Sequence, residues 1–283
     1  MSRIVYVNGE FLPEEEARVS IFDRGFLFAD AIYEVTPVLD GRLLENEGHM
    51  ARLERSLREL AMPAPMPVSE IAALMEELVR RNDLREGSVY LQVTRGAADR
   101  DFLYPEGATP TLVMFTQARD VRETRASRVG LRVVSAPDLR WGRRDIKTVQ
   151  LLAASMAKQA AHDAGADDAW LVQDGFVTEG SSNNAYIVTR DGTIVTRQLS
   201  NDILHGVTRA SVLKLASEAQ LRVEERPFTI AEAQDAAEAF MTSASAFVTP
   251  VVEIDGVKLG DGAPGQVARR LREIYLDSLA EAG

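Results

Sequence analysis

Cysteine is absent from this 283-residue chain. That excludes a disulfide framework, thiolate metal sites and a cysteine nucleophile in one step, and it fits a reducing compartment. Lysine is nearly absent too: of 32 lysines and arginines only four are lysine, Lys147, Lys158, Lys214 and Lys258. Codon bias explains the imbalance in the plainest way. A retained lysine still invites a question, because it alone of the two can lose its proton and become a nucleophilic amine. The three histidines, His49, His162 and His205, stand far apart without metal-ligand spacing, so no metal site is expected.

Other absences narrow the field further. Nothing in the chain approaches the ~20 apolar residues that cross a bilayer. The opening stretch MSRIVYVNGEFLPEEE turns acidic before any signal-like apolar core can form, so a cytoplasmic protein is expected. The net charge is −11 and no segment concentrates basic residues. Nucleic acid and anionic membranes, which need basic patches, are therefore not expected partners. One small phosphate remains possible, since backbone N–H groups can bind it. There is no P-loop and no G-x-S-x-G elbow. Nucleotide hydrolysis and serine acyl transfer thus lose their usual markers.

What is present alternates between two patterns. Five Asn-Gly or Asp-Gly pairs, at positions 8, 40, 174, 191 and 255, lie between β-branched or aromatic runs and predict hairpin turns. The strands expected beside them and elsewhere include Ile4–Val7, Ile32–Val38, Val89–Thr94, Leu112–Thr116, Leu131–Ser135, Ala169–Gln173, Ala185–Thr189 and Ala239–Thr242. Met50, Leu53, Leu57 and Leu60 follow the spacing of one buried helix face. Ser69 is placed to cap a second helix with Ile71, Leu74 and Leu78 inward. Further helices are expected over Thr148–Ala164, Val207–Gln220 and Pro264–Ala280. Hairpins mixed with helices, without strict βαβ alternation, predict an α+β fold. The charged stretch around Ala118–Arg128 lacks apolar periodicity and reads as a linker. It divides a smaller N-terminal domain (1–118) from a larger C-terminal domain (129–283) through residues 119–128.

Four segments could carry chemistry, and each also has a plainer reading. Lys147 ends a polar, irregular segment before a helix, near Arg140, Arg143 and Arg144. Nearby cations favour a neutral, nucleophilic amine, although a solvated helix-start lysine would look the same. Glu179 stands where a short strand gives way to Gly180 and small polar residues. It could hold a cationic ring nitrogen or be an exposed turn carboxylate. In ILHGVTR (203–209) the chain prepares a helix start near Val207, which is an anion site or an ordinary cap. The hydroxyl-rich run Thr242-Ser243-Ala244-Ser245 is a second such site or loop punctuation.

Taken in order, these segments resemble the fold-type IV pyridoxal-phosphate enzymes. The likeness runs through VNGEFLP (7–13), DRGFLFADAIYEV (23–35), DIKT (145–148), TEGSSNN (178–184), ILHGVTR (203–209) and TSASAFVTPV (242–251). It implies a two-domain α+β architecture like that of the D-amino-acid aminotransferases, with pyridoxal 5'-phosphate as cofactor. The resemblance implies that Lys147 forms the Schiff base and shuttles the proton, and that Glu179 keeps the pyridine nitrogen protonated so that the ring acts as an electron sink. It implies that Arg52 binds the phosphate with Val207, Thr208, Ser243 and Ala244. Leu204 would pack behind the ring, and Tyr33 would stand beside the reacting carbon.

Within that group the segment RGAADRDFLYP (95–105) is similar to the D-amino-acid transaminase pattern, in which an Arg and a His two residues later grip the substrate carboxylate. Arg100 matches the Arg, but Phe102 stands where the His should be. The resemblance therefore implies transfer of an amino group from a D-amino acid to a 2-oxo acid, pyruvate or 2-oxoglutarate, with a carboxylate grip that is one donor short. Branched-chain and (R)-selective amine transaminases are the alternatives within the fold. An aminodeoxychorismate-type lyase and a non-catalytic pyridoxal-phosphate-binding protein stand behind them. The expected assembly is a homodimer.

Overall fold

The computed structural model describes residues 2–281. The chain divides into two units. One comprises the residues up to Val121 together with Ile146–Gln150, and the other comprises Arg122–Asp145 and the residues from Leu151 onward.

The first unit contains β1 (Ile4–Val7), β2 (Glu10–Pro13), α1 (Arg24–Phe28), β3 (Ala31–Leu39), β4 (Arg42–Leu43), α2 (Asn46–Glu59), α3 (Val68–Arg81), β5 (Glu86–Thr94) and β6 (Thr111–Ala118). Its strands form an antiparallel sheet in the order β2-β1-β6-β5-β3-β4. Because side chains alternate along a strand, register decides what each face carries. Glu34 pairs with Leu91 and Thr36 with Val89, and all four are buried. On the opposite face Val35 pairs with Tyr90, and Tyr90 with Phe115. The helices add Leu53, Leu57, Ile71 and Leu78 to the core.

The second unit contains α4 (Arg125–Val129), β7 (Leu131–Pro137), α5 (Leu152–Asp163), β8 (Asp168–Gln173), β9 (Phe176–Gly180), β10 (Asn184–Val188), β11 (Ile194–Thr196), α6 (Val207–Glu218), β12 (Val223–Glu225), α7 (Ile230–Asp235), β13 (Glu238–Ser243), β14 (Phe247–Ile254), β15 (Val257–Lys258) and α8 (Gln266–Glu281). Its sheet runs β12-β11-β10-β13-β14-β7-β8-β9, with β15 on β14. The β7–β8, β7–β14 and β11–β12 pairs are parallel, and the others antiparallel. Its core gathers Val133, Trp170, Ile187, Phe228, Val251 and Ile254.

Every strand expected above is present, with some ends shifted by a few residues. Four of the five turn pairs close two-residue hairpins with positive φ at both positions, as at Asp174 (53°) and Gly175 (82°). The pair at 191 differs. Only Gly192 has positive φ, and the five-residue β10–β11 loop is held by hydroxyls of Thr189 and Thr193 donating to Asp191.

Several expectations need correction. Ser69 lies inside the first turn of α3, whose N-cap is Pro67, and Met75 and Val79 join the buried face while Leu74 is only half-buried. The presumed linker contains α4, whose Thr124–Ser127 capping box supplies the local hydrogen bonds that its charged sequence concealed. The helix expected from Thr148 begins only at Leu152. The residues before it serve β3 instead: Tyr33 N–H donates to the Lys147 carbonyl (3.0 Å) and Val149 N–H to that of Ala31 (3.1 Å). Lys147 therefore belongs to the first unit and not, as the linker reading placed it, to the larger C-terminal one.

Candidate active site

Glu179 is a buried carboxylate of the second unit held by three donors. It sits near the end of β9, 3% exposed, and is no surface turn residue. One oxygen takes a short hydrogen bond from the Arg140 guanidinium. The other accepts from Asn184 Nδ2 (3.0 Å) and from the Leu204 backbone N–H (3.1 Å). Burial pushes its carboxyl above the ordinary range, and the charge of Arg140 pulls the other way. The oxygen bonded to Arg140 keeps a second lone pair, so a ring N–H could still be accepted there.

Asn184 ties three sequence motifs into one place. Its amide also donates to the Leu204 carbonyl (3.0 Å), and a Cβ on Gly206 would come within 2.2 Å of its side-chain oxygen. The segment before α6 is thus pressed against the strand that follows Glu179. Across the sheet Asn184 pairs with Thr242, which sets the Ser243–Ala244 turn at the same strand end. Val207 and Thr208 open the 12-residue α6, whose N-cap Gly206 supplies no side-chain cap. The Thr208 hydroxyl is buried and has no hydrogen-bond partner. An uncapped helix start with a buried unpaired hydroxyl suits a dianionic phosphate, which accepts from both. These residues fit the phosphate and ring nitrogen of pyridoxal phosphate.

In the first unit Lys147 Nζ lies 4.3 Å from the centroid of the Tyr33 ring. Tyr33 stacks on Tyr90 (5.6 Å), and Tyr90 on Phe115 (4.7 Å), so the amine stands at the end of an aromatic strip on one face of the sheet. Tyr90 donates to Gln92 (2.8 Å), and burial followed by the nearness of Tyr33 pushes its hydroxyl up to about 12. The strip offers an apolar wall and phenol oxygens beside a primary amine. The three arginines preceding Lys147 in sequence each have an acidic partner in their own unit: Arg140 has Asp138 and Glu179, Arg143 has Asp145, and Arg144 has Asp138 and Asp202.

Arg52 also lies in the first unit, buried on α2. Its guanidinium forks onto Glu34, with Nε at 2.8 Å and a terminal nitrogen at 2.6 Å. His49 Nδ1 reaches the same carboxylate at 2.8 Å. Burial would raise the Glu34 carboxyl, but Arg52 and His49 outweigh it and hold it at about 2. A buried ion pair of this kind was not legible beforehand, because β3 alternation gives no reason to expect Glu34 on the core face.

Arg100 and Phe102 occupy an exposed loop between β5 and β6. The Arg100 guanidinium lies 5.3 Å from the Phe28 ring and 5.5 Å from the Phe102 ring, and the two rings meet edge to face at 5.6 Å. Among the described residues no carboxylate pairs with Arg100. The loop is held from below: Asp30 receives Nε of both Arg24 (2.8 Å) and Arg95 (2.7 Å). Arg24 then donates to the Asp101 carbonyl (2.6 Å), and Arg95 lies under the Tyr104 ring at 3.6 Å.

The structure thus joins Lys147 with Tyr33 in one unit, and Glu179, Leu204, Val207, Thr208, Ser243 and Ala244 in the other. Sequence reasoning missed Asp138, Asn184, Asp30 and Phe28 as parts of these clusters. Asn184, Asp30 and Phe28 lay inside motifs already singled out, whereas nothing in the sequence ties Asp138 to Glu179.

Comparison with known proteins follows the same lines. A family model described as amino-transferase class IV matches residues 31–254. The chain is 39% identical over 275 residues to a D-alanine aminotransferase of Bacillus licheniformis, covering 97% of this chain and 96% of the relative. It is 37% identical over 270 residues to that of Staphylococcus aureus N315, covering 95% of each. Among solved structures, a T.th. branched-chain amino acid aminotransferase with pyridoxamine 5'-phosphate aligns with a TM-score of 0.91 at 28% identity, over 100% of this chain and 96% of that one. That of Escherichia coli aligns with a TM-score of 0.91 at 21% identity, over 99% and 95%.

Proposed function

We propose, for a chain that belongs to the class IV aminotransferases and uses pyridoxal phosphate, that it acts as a cytoplasmic homodimer moving the amino group of D-alanine and related D-amino acids to a 2-oxo acid. The observation that carries the chemistry is the buried Glu179 in its three-donor cradle. The substrate reading rests on the D-alanine aminotransferases at 37–39% identity over nearly the whole chain.

Bound pyridoxal phosphate supplies a positively charged ring that accepts electrons from the carbon losing its proton. The chain's own groups do the rest. Lys147 Nζ is the covalent anchor and the base that holds and returns the substrate proton, with the Tyr33 ring limiting where the amine can stand. Glu179 holds the proton on the ring nitrogen. The N–H groups at the start of α6 and the Thr208 hydroxyl bind the phosphate, and the Ser243–Ala244 turn borders it. Arg52 joins them as the phosphate arginine in this reading, with Glu34 fixing its fork. Leu204, whose backbone is bonded to both Glu179 and Asn184, backs the ring.

Arg100 receives the substrate carboxylate. Phe102 keeps that part of the pocket apolar and favours side activity with (R)-amines. The exposed Phe22, Phe26, Phe102 and Leu103 of the first unit are covered by a second copy of the chain. Purified protein given D-alanine and 2-oxoglutarate should yield pyruvate and D-glutamate, read by chiral chromatography. Turnover of L-leucine or L-valine with no turnover of any D-amino acid would overturn the substrate reading and leave a branched-chain enzyme.

A further inference from the structure

Arg140 is shared between two buried carboxylates. Its Nε and one terminal nitrogen fork onto Asp138, at 2.9 and 2.7 Å, while the other terminal nitrogen donates to Glu179. Asp138 directly follows β7, anchored by its N–H on the Val172 carbonyl (2.9 Å), and its side chain is fully buried. It further accepts from the Thr178 hydroxyl (2.7 Å), and Arg144 Nε lies 3.5 Å away. Thr178 and Glu179 are neighbours on β9, so consecutive residues of one strand serve the two carboxylates that compete for Arg140.

The charges define what this sharing does. The titratable and charged groups facing Glu179 are Arg140 and Asp138, with Arg144 behind Asp138 and Asp202 beyond it at 3.8 Å from Arg144. A guanidinium committed wholly to Glu179 would neutralise it and leave no negative charge for a cationic ring nitrogen. A fork drawn onto Asp138 leaves Glu179 a single contact from Arg140, and the Asp138 charge adds its own negative potential at the site.

We propose that Asp138 is a positioning residue that sets how firmly Glu179 holds the proton on the cofactor's ring nitrogen, by drawing Arg140 away from it. The proposal rests on the reading that Glu179 serves that nitrogen. Burial favours the neutral form of Asp138, but hydrogen bonds from Arg140 and Thr178 and the charges of Arg140 and Arg144 hold it below the ordinary carboxylate range, so the lever stays charged.

The test uses the loaded enzyme carrying cofactor labelled with ¹⁵N in the ring. The nitrogen chemical shift followed against pH gives the midpoint of ring-nitrogen deprotonation, independent of turnover. Asp138→Asn should lower that midpoint by about one pH unit or more, the size expected of one lost neighbouring charge. Arg140→Gln should raise it. The double variant Asp138→Asn/Arg140→Gln, in which both partners go together and folding is least at risk, should return close to the wild-type value. Single variants that move the midpoint in the same direction, or a double variant whose shift is the larger of all, would mean that the cluster only supports the fold and would overturn the proposal. Glu179→Gln separates the two levels. A collapsed midpoint there with an unmoved Asp138→Asn sinks this inference alone, and an unmoved midpoint in Glu179→Gln sinks the reading beneath it.

Discussion

Replacing Arg52 with methionine strands Glu34, a carboxylate 1% exposed that keeps its hydrogen bond with His49. Removing one partner of a buried ion pair typically costs about 3–5 kcal/mol. Acid linkage gives an independent figure. The Glu34 carboxyl sits at about 2 against an ordinary 4.5. At about 1.4 kcal/mol for each pKa unit, the pair and its histidine contribute on the order of 3 kcal/mol. Because the folded value is the lower one, that stability is complete above pH 4.5 and is lost as the pH falls towards 2. At neutral pH, Arg52→Met should therefore lower the melting temperature of the apoprotein by roughly 10 °C. The double variant Glu34→Gln/Arg52→Met removes both charges and should recover most of the loss. Calorimetry of the apoprotein measures these shifts, and a cofactor titration of the same samples asks a separate question. If Arg52 also holds the phosphate, the double variant regains stability but still binds pyridoxal phosphate weakly. A double variant as unstable as the single would refute the stranded-carboxylate argument, and one with wild-type cofactor affinity would confine Arg52 to its ion pair.

The roles proposed for Lys147 and for the Arg100–Phe102 loop give two more predictions. Borohydride reduction of the loaded enzyme followed by peptide mapping should place the cofactor on Lys147, and Lys147→Arg should be inactive because a guanidinium stays protonated. Label on Lys158, Lys214 or Lys258 would remove Lys147 from its role. Arg100→Ala should raise KM for D-alanine well beyond its effect on a 1-arylethylamine, while Phe102→His should tighten D-alanine binding. Equal losses for acid and amine in Arg100→Ala would show that the arginine supports the loop and does not read the carboxylate.

Much of this fold was legible because its signals are local. Alternation in β3 and β5 and the Asp-Gly turns depend on neighbours a few residues away, and these strands and four of the five hairpins appear as expected. The helix start at Val207 and the placement of Glu179 at a strand end were legible for the same reason. What escaped depends on distance along the chain. Thr148 reads as a helix start because nothing nearby reveals that its neighbours bond to β3, more than a hundred residues earlier. Nothing local ties Asp138 and Arg140 to Glu179, which lies about forty positions on. Charged pairs in a core defeat hydrophobic patterning, which gives no sign that Glu34 is among the most buried residues.

The five-residue excursion of Ile146–Gln150 also bears on how such a chain can be cut or recombined. Its neighbours on both sides belong to the second unit, while it completes the edge contacts of β3 in the first. A gene divided after Val121 would give an amino-terminal fragment without the lysine that its own strand positions, and a carboxy-terminal fragment carrying that lysine on a segment with no strand to receive it. The amine proposed to anchor the cofactor is thus encoded in one half and seated in the other. A recombinant that exchanges halves must carry both pieces along to keep that lysine on its strand.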